Sequence, residues 1–237
     1  MEFKIISRKQ KPDFTGFCFI LQSMKVFIGI LCVLLALPSF GQKKESYFQV
    51  GVSANSYKGE IGNYDSWSPG IQAGILFNKK KRLNGALNIG FGSLSSEDQT
   101  FGFQSNTGTP APNNFVKTNF LFFNYDLHIN IIKKEQLILY LSQGIGFMRF
   151  TPKDEFDEVL ESQEDTRNEG ETYRNLSFIL PTSIGIIYFT KRKLGFSFQA
   201  GIFNTNTDYL DNISELGDSG NDNALNLRLA LLIPLSD

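Results

Sequence analysis

The chain has 237 residues, a formal net charge of −1 and 41% hydrophobic residues, which allows one large domain or two small ones. It lacks the basic excess expected of a domain that binds nucleic acid. Both cysteines, Cys18 and Cys32, precede the predicted mature chain, so disulfide and thiol chemistry are excluded there.

Residues 1–41 are predicted to be a signal peptide, and residues 42–237 are predicted to be the mature domain. Lys25 is followed by an apolar run over residues 26–37 and, a few residues later, by the small residue Gly41 before the predicted cleavage site. The run is shorter than the about 20 residues that a membrane-spanning helix needs, which favours cleavage near Gly41. Met1 and Met24 both remain possible starts, with residues 1–23 as an extended amino-terminal region in the first case. Residues 1–41 contain five of the 23 basic and two of the 24 acidic residues. Their removal leaves 18 basic and 22 acidic residues, a net charge of −4.

Eight segments of the mature chain alternate apolar residues with polar or small ones. Alternation with a period of two places the two sets of side chains on opposite faces of a β-strand. In the hairpin over residues 121–147, the apolar residues of both limbs occupy odd positions, and the even positions of the first limb carry the polar residues Asn124, Asp126, His128 and Asn130. The apolar sets of the eight segments begin with Phe48, Ile71, Leu87, Leu121, Leu137, Leu176, Leu194 and Leu225.

The connections between these segments alternate in length. Short, lysine-rich connections are predicted at residues 78–82, 133–136 and 191–193, and long ones at residues 57–68, 93–114, 151–173 and 205–223. Transmembrane barrels have short periplasmic turns, longer extracellular loops and an even number of strands. The pattern predicts an eight-stranded antiparallel up-and-down transmembrane β-barrel in the outer membrane of a Gram-negative cell, with outer-membrane lipid around it.

The alternative is a soluble barrel of the lipocalin kind, whose apolar face would point inward. The polar face of these segments is rich in Asn, Gln, Ser and Gly rather than in Lys and Glu, which favours a lumen over a solvated surface. Asp126 and Arg228 are predicted at similar depth, where buried charges require partners, and a polar plug is therefore expected. A narrow channel lined by Arg228 is the alternative. The predicted lumen network comprises Gln72, Asn88, Asn124, Asp126, His128, Gln199 and Arg228.

His128 is the only histidine of the chain. It is predicted to point into the lumen near the periplasmic turn, with no nucleophile motif beside it, so a packed lumen histidine is favoured over a catalytic one. One histidine without cysteines does not make a typical zinc site. No catalytic residue, metal site or cofactor is predicted.

The third long loop is strongly acidic. Such a run is typical of a solvated loop, but it could also dock a partner or weakly hold a divalent cation, because hard cations prefer carboxylate oxygens. Asp208, Asp211, Asp218 and Asp222 of the fourth loop could join it on the same face. The predicted docking loop carries Asp154, Glu155, Asp157, Glu158, Glu161, Glu164 and Asp165.

Three segments resemble a known family of small outer-membrane barrels of the Bacteroidota. Residues 57–61 are similar to its tyrosine–glycine–acidic signature, residues 144–153 to its fifth strand, and residues 207–214 to its most specific motif. That family includes a barrel associated with the type IX secretion and gliding apparatus. The resemblance implies an outer-membrane barrel and, as a further expectation, partners among secretion-machine proteins. In one respect this sequence departs from the pattern: many barrels end on an aromatic residue, and this sequence ends on Asp237.

Three classes of function follow. The first is a non-enzymatic structural or interaction protein, expected to be an accessory part of the type IX secretion apparatus. The second is a small porin or ligand-binding barrel. The third is an outer-membrane lipid-modifying enzyme that would use His128.

Overall fold

The computed structural model describes residues 45–79, 81–98, 115–162, 166, 175–213 and 220–235. The predicted signal peptide and two residues of the predicted docking loop, Glu164 and Asp165, lie outside these ranges. No helix among the described residues is long and apolar enough to cross a membrane.

Eight antiparallel strands form a closed barrel in which each strand pairs with its neighbours in the chain and β1 pairs with β8. The predicted up-and-down eight-stranded barrel is therefore confirmed. Its strands are β1 (Tyr47–Lys58), β2 (Ser68–Phe77), β3 (Leu83–Glu97), β4 (Phe115–Lys133), β5 (Leu137–Lys153), β6 (Leu176–Phe189), β7 (Gly195–Thr205) and β8 (Asn223–Pro234).

The exposure of side chains is inverted relative to a soluble barrel. On the outer face, Ile71 is 62% exposed and Phe147 is 54% exposed, whereas inward-facing Asn88 and Asn124 are each 2% exposed. The outward apolar residues of β4 extend from residue 121 to residue 131, which is the length of a tilted transmembrane strand. The apolar face therefore meets lipid, and the chain is an outer-membrane β-barrel.

One end of the barrel carries all three short turns, the start of β1 and the end of β8. Tyr47 of β1 lies opposite Pro234 of β8 at this end. Asn78 and Lys193 have positive φ angles of 53° and 63°, as tight hairpin turns require. Because short turns are periplasmic in outer-membrane barrels, we call this the periplasmic end and the opposite one the extracellular end.

At the extracellular end, β3, β4 and β5 are longer than their apolar alternation predicts. The ladder continues through pairs such as Ser95 with Lys117 and Lys117 with Lys153. Residues beyond the lipid no longer need apolar outward side chains, so the hydrogen-bonded ladder persists where the sequence pattern stops.

The inward face is less uniformly polar than the sequence predicts, because apolar side chains fill the barrel on both sides of a central polar layer. A periplasmic apolar cluster contains Tyr47, Leu76, Ala86, Ile138, Tyr140, Ile187, Phe189 and Leu232. An extracellular apolar cluster contains Tyr57, Leu94, Phe120, Phe122, Met148, Phe150, Ile179, Phe203, Leu210 and Ala224. An eight-stranded barrel is narrow enough for side chains to fill its interior in this way.

Candidate functional site

Arg228 lies at the centre of the polar layer between the two apolar clusters. Its Nη1 donates hydrogen bonds to Gln72 Oε1 at 3.2 Å and to Asn88 Oδ1 at 3.3 Å. Its Nη2 donates to Gln199 Oε1. Arg228 is only 4% exposed, so these amide oxygens replace the water that its guanidinium loses on burial.

Asp126 is connected to Arg228 through an intervening amide. Asn88 Nδ2 donates to Asp126 Oδ2 at 2.9 Å, and Asn124 Nδ2 donates to Asp126 Oδ1 at 2.5 Å. Asn88 therefore contacts the guanidinium with its oxygen and the carboxylate with its nitrogen. The structure brings six of the seven predicted lumen residues into one network, and the expected contact between the two charges runs through Asn88.

The polar layer leaves little empty space. A cavity of about 10 Å³ is bordered by Gln72, Asn88, Asp126 and Arg228, and this volume holds about one water molecule. A small solute would have to displace Arg228 and Asn88, which make several hydrogen bonds each, and the Gln72 and Asp126 side chains bonded to them. The geometry favours the predicted plug over a channel lined by Arg228.

His128, the seventh predicted residue, is packed against an aromatic ring nearer the periplasmic end. Its ring stacks on Tyr140, with centroids 4.3 Å apart and planes 13° from parallel. Ser142 lies directly opposite on β5, a pairing that the hairpin register implied but that sequence reasoning overlooked. The Ser142 hydroxyl instead lies 2.5 Å from that of Ser183, and both His128 and Ser142 are buried. His128, Ser142 and Ser183 therefore do not form a catalytic arrangement that a substrate could reach.

A segment of the fourth long loop, residues 206–213, covers the extracellular end of the lumen, and we call it the cap. Leu210 is buried in the extracellular apolar cluster, and its carbonyl accepts a hydrogen bond from Thr118 of β4. Ile213 packs with Ile61 of the first loop in a further apolar cluster. The cap therefore closes the barrel above both the polar layer and the extracellular apolar cluster.

Buried acidic side chains of the fourth loop hold the cap to β1. The sequence analysis grouped Asp211 and Asp222 on one face, but it did not place Tyr57 beside them. Tyr57 Oη lies 2.7 Å from Asp211 Oδ2 and 3.0 Å from Asp222 Oδ1. The second oxygens of these carboxyl groups accept the backbone N–H groups of Ile213 at 2.9 Å and Leu210 at 2.7 Å. A phenol has one proton to donate, so the shared contact at Tyr57 needs a second proton on a carboxyl group.

Burial is the main cause of proton retention in this cluster. It raises the pKa of Asp211 to about 6 and raises the pKa of Asp222 well above its usual range, with the Asp211 charge adding to the latter shift. Burial and the charge of Asp211 raise the pKa of Glu60 to about 8. We call Tyr57, Glu60, Asp211 and Asp222 the acidic lock.

Carboxylate oxygens of Glu60, Asp208 and Asp222 lie within 4.8 Å of one another, a spacing that would suit a hard cation. Both Asp222 oxygens are already hydrogen-bonded, to Tyr57 and to the Leu210 amide. Because burial raises the pKa values of Glu60 and Asp222, protonated carboxyl groups can also lie this close together.

The predicted docking loop is partly ordered by its own acidic residues. Asp154 Oδ1 accepts the backbone N–H groups of Phe156 at 2.9 Å and Glu158 at 2.8 Å. Asp157 pairs with Lys153 at 2.9 Å, and this hydrogen bond lowers the pKa of Asp157. The remaining described acidic residues, Glu155, Glu158 and Glu161, are exposed.

No protein-family model and no curated relative matches the sequence. Solved structures with a similar fold are outer-membrane barrels. Neisserial surface protein A matches with a TM-score of 0.50 and 12% identity over 81% of this chain and 99% of its own. Ail, the attachment invasion locus protein of Yersinia pestis, matches with a TM-score of 0.48 and 9% identity over 81% of this chain and 98% of its own. The outer membrane enzyme PagL matches with a TM-score of 0.36 and 12% identity over 79% of this chain and 99% of its own. At 12% identity, the likeness to Neisserial surface protein A shows the fold alone.

Proposed function

We propose that this protein is a non-enzymatic structural and interaction component of the outer membrane, which acts through its extracellular loops rather than through its lumen. The observation that carries this proposal is the closure of the barrel by the periplasmic apolar cluster, the polar layer and the cap. Because the lumen is filled along its length, the outer surface and the loops are the parts of the barrel that can contact a partner.

The closed lumen predicts that the purified protein does not form a pore. In planar bilayers containing the refolded chain, we expect no stable conductance steps, because an ion would have to pass apolar clusters on both sides of Arg228. Refolding is checked by SDS gel electrophoresis, in which the unheated, folded barrel migrates differently from the heated, unfolded chain. Large and stable steps from the folded protein would support the porin alternative.

The position of His128 predicts that the protein does not modify lipid. His128→Gln keeps a polar side chain of suitable length, and we expect the lipid A profile of cells carrying this variant to match that of the wild type. Mass spectrometry of extracted lipid A provides the measurement. A change shared by His128→Gln and a deletion strain, but absent from the wild type, would contradict the proposal.

The exposed tip of the docking loop is the surface best suited to a protein partner. Phe156 is 76% exposed, and Val159 is 43% exposed beside it. Glu155 and Glu158 border these apolar side chains. An apolar centre with a charged rim is the composition of many transient interfaces, and here the rim would favour a basic partner.

The finer proposal assigns the partner to the type IX secretion apparatus. It is supported by the resemblance of residues 57–61, 144–153 and 207–214 to the Bacteroidota family described above. A photo-reactive phenylalanine analogue placed at Phe156 tests it in native outer membranes. We expect crosslinks to secretion-machine subunits, identified by mass spectrometry.

A matched probe at Phe196 provides the control, because this phenylalanine is 54% exposed on the lipid-facing side of β7. The Phe196 probe is expected to capture lipid only. If the Phe156 probe captures proteins unrelated to secretion, the assigned process is wrong while the interaction role stands. Capture of no protein from Phe156 would contradict docking through this loop.

A further inference from the structure

The periplasmic end carries a ring of exposed cations that neither the plug nor the extracellular loops involve. Among the described residues of the three short turns, only Glu135 offers an exposed carboxylate. The exposed cations, which we call the basic collar, are Arg82, Lys133, Lys134, Lys191, Arg192 and Lys193. They come from all three turns, so the charge is distributed around the barrel rather than gathered on one side.

The basic collar lies at the depth of the lipid headgroups. Arg82 is followed directly by Leu83, which is 50% exposed, and Lys133 is preceded by Ile132, which is 41% exposed. Tyr188, 50% exposed, lies just before the third turn, in the position that interfacial aromatic residues favour. Each turn therefore passes from hydrocarbon to charge within one to three residues.

The charge distribution indicates which leaflet and which lipids the collar meets. The extracellular end of the barrel carries the acidic lock and the exposed carboxylates of the docking loop, whereas most of the described exposed cations lie at the end where β1 begins and β8 ends. Basic side chains at a membrane surface attract anionic lipids, by roughly fivefold in affinity for each cation close to the surface.

We propose that the basic collar binds the phosphate groups of anionic phospholipids in the periplasmic leaflet and so gathers these lipids around the barrel. Lys79, in the same turn as Arg82, supports this geometry. Lys79 Nζ lies 3.5 Å from the ring centroid of Phe189 and 5.5 Å from that of Tyr47, so it covers the end of the lumen. The six collar residues are exposed in the turns around that closed end.

Lipid selection at the collar can be measured with one tryptophan. Trp67, the only tryptophan, is replaced by Phe, and Tyr188→Trp places the reporter beside the third turn. The refolded barrel is inserted into vesicles with brominated phosphatidylglycerol or brominated phosphatidylcholine, and quenching gives the relative affinity of the two lipids. We expect phosphatidylglycerol to be preferred about fivefold or more, and about 0.5 M NaCl to weaken this preference by screening.

Matched variants distinguish the collar from the overall charge of the protein. The collar variant Lys134→Gln/Lys191→Gln/Arg192→Gln and the control Lys117→Gln/Arg149→Gln/Lys153→Gln each lose two lysines and one arginine. We expect the collar variant to reduce the preference below about twofold and the control to keep it. If the collar variant does not fold, Lys191→Gln/Arg192→Gln provides the same comparison with a smaller loss.

Equal quenching by the two lipids in the parent protein would overturn the proposal. An equal loss of preference in the collar and control variants would also overturn it, because the attraction would then not be local. Inorganic phosphate at matched ionic strength is expected to act no differently from chloride. Specific competition by phosphate would show a site for the free anion instead of a lipid collar.

Discussion

Arg228→Met is expected to destabilise the folded barrel by about 3–5 kcal/mol, the cost of leaving a buried charge without its partner. The methionine side chain fills a similar volume but cannot donate to Gln72, Asn88 and Gln199. The Asp126 carboxylate would then remain buried with amide donors alone. Urea unfolding of the barrel in lipid vesicles, followed by Trp67 fluorescence, measures the change.

The double variant Asp126→Asn/Arg228→Met tests whether Asn88 couples the two charges. Because it removes both charges together, we expect it to recover most of the stability lost in Arg228→Met. Arg149→Met is the matched control, since Arg149 is exposed on the outer face and its loss should change stability by less than about 0.5 kcal/mol. A double variant as unstable as the sum of its single changes would show that the charges act independently.

The strands and their orientation could be predicted from the sequence because the membrane imposes a regular pattern. Alternation in residues 121–131 reflects lipid on one side and the lumen on the other, and the length of each connection reflects the side of the membrane on which it lies. Asp126 and Arg228 were assigned to one layer by counting residues from the short turns. Each of these inferences needs only the local period of the chain.

The contacts that close the barrel could not be predicted in the same way. The side chains of Phe122 and Tyr140 point inward, as those of the polar lumen residues do. The alternation of the sequence therefore did not distinguish the apolar layers of the lumen from its polar layer. Tyr57 and Asp222 are 165 residues apart in the chain and meet only because β1 closes the barrel against β8. Their burial under the cap depends on loop conformation, for which the sequence has no repeating pattern.

The acidic lock predicts that the cap opens as the pH rises. In an open cap the carboxyl groups would have pKa values near 4, whereas in the closed cap burial raises that of Asp211 to about 6 and that of Glu60 to about 8. Both states are protonated below about pH 4, so the full stability of the closed cap is present there. It falls as the open state loses protons, and the contributions of Asp211 and Glu60 are lost once the pH exceeds about 8.

Hydrogen exchange of the cap measures this equilibrium. The Leu210 and Ile213 amides donate to Asp222 and Asp211, so their protection reports the lock directly. After correction for the intrinsic rate, we expect their protection to fall at least tenfold between about pH 5 and pH 8.5, while Leu229 in β8 remains protected. The buffers contain a chelator, so that divalent cations do not vary with pH.

Variants of the lock separate protonation from packing. Asp222→Asn keeps the size of the side chain, accepts the Leu210 amide and donates to Tyr57 without a titrating proton, so we expect a closed cap with a weaker dependence on pH. Tyr57→Phe removes the shared hydroxyl and should lower protection of the cap at every pH, because two buried carboxyl groups lose their common partner. Asp157→Asn, outside the lock, is the control and should leave the profile unchanged. A wild-type profile that is flat from about pH 5 to pH 8.5 would show that the cap is held by apolar contacts of Leu210 and Ile213 rather than by shared protons.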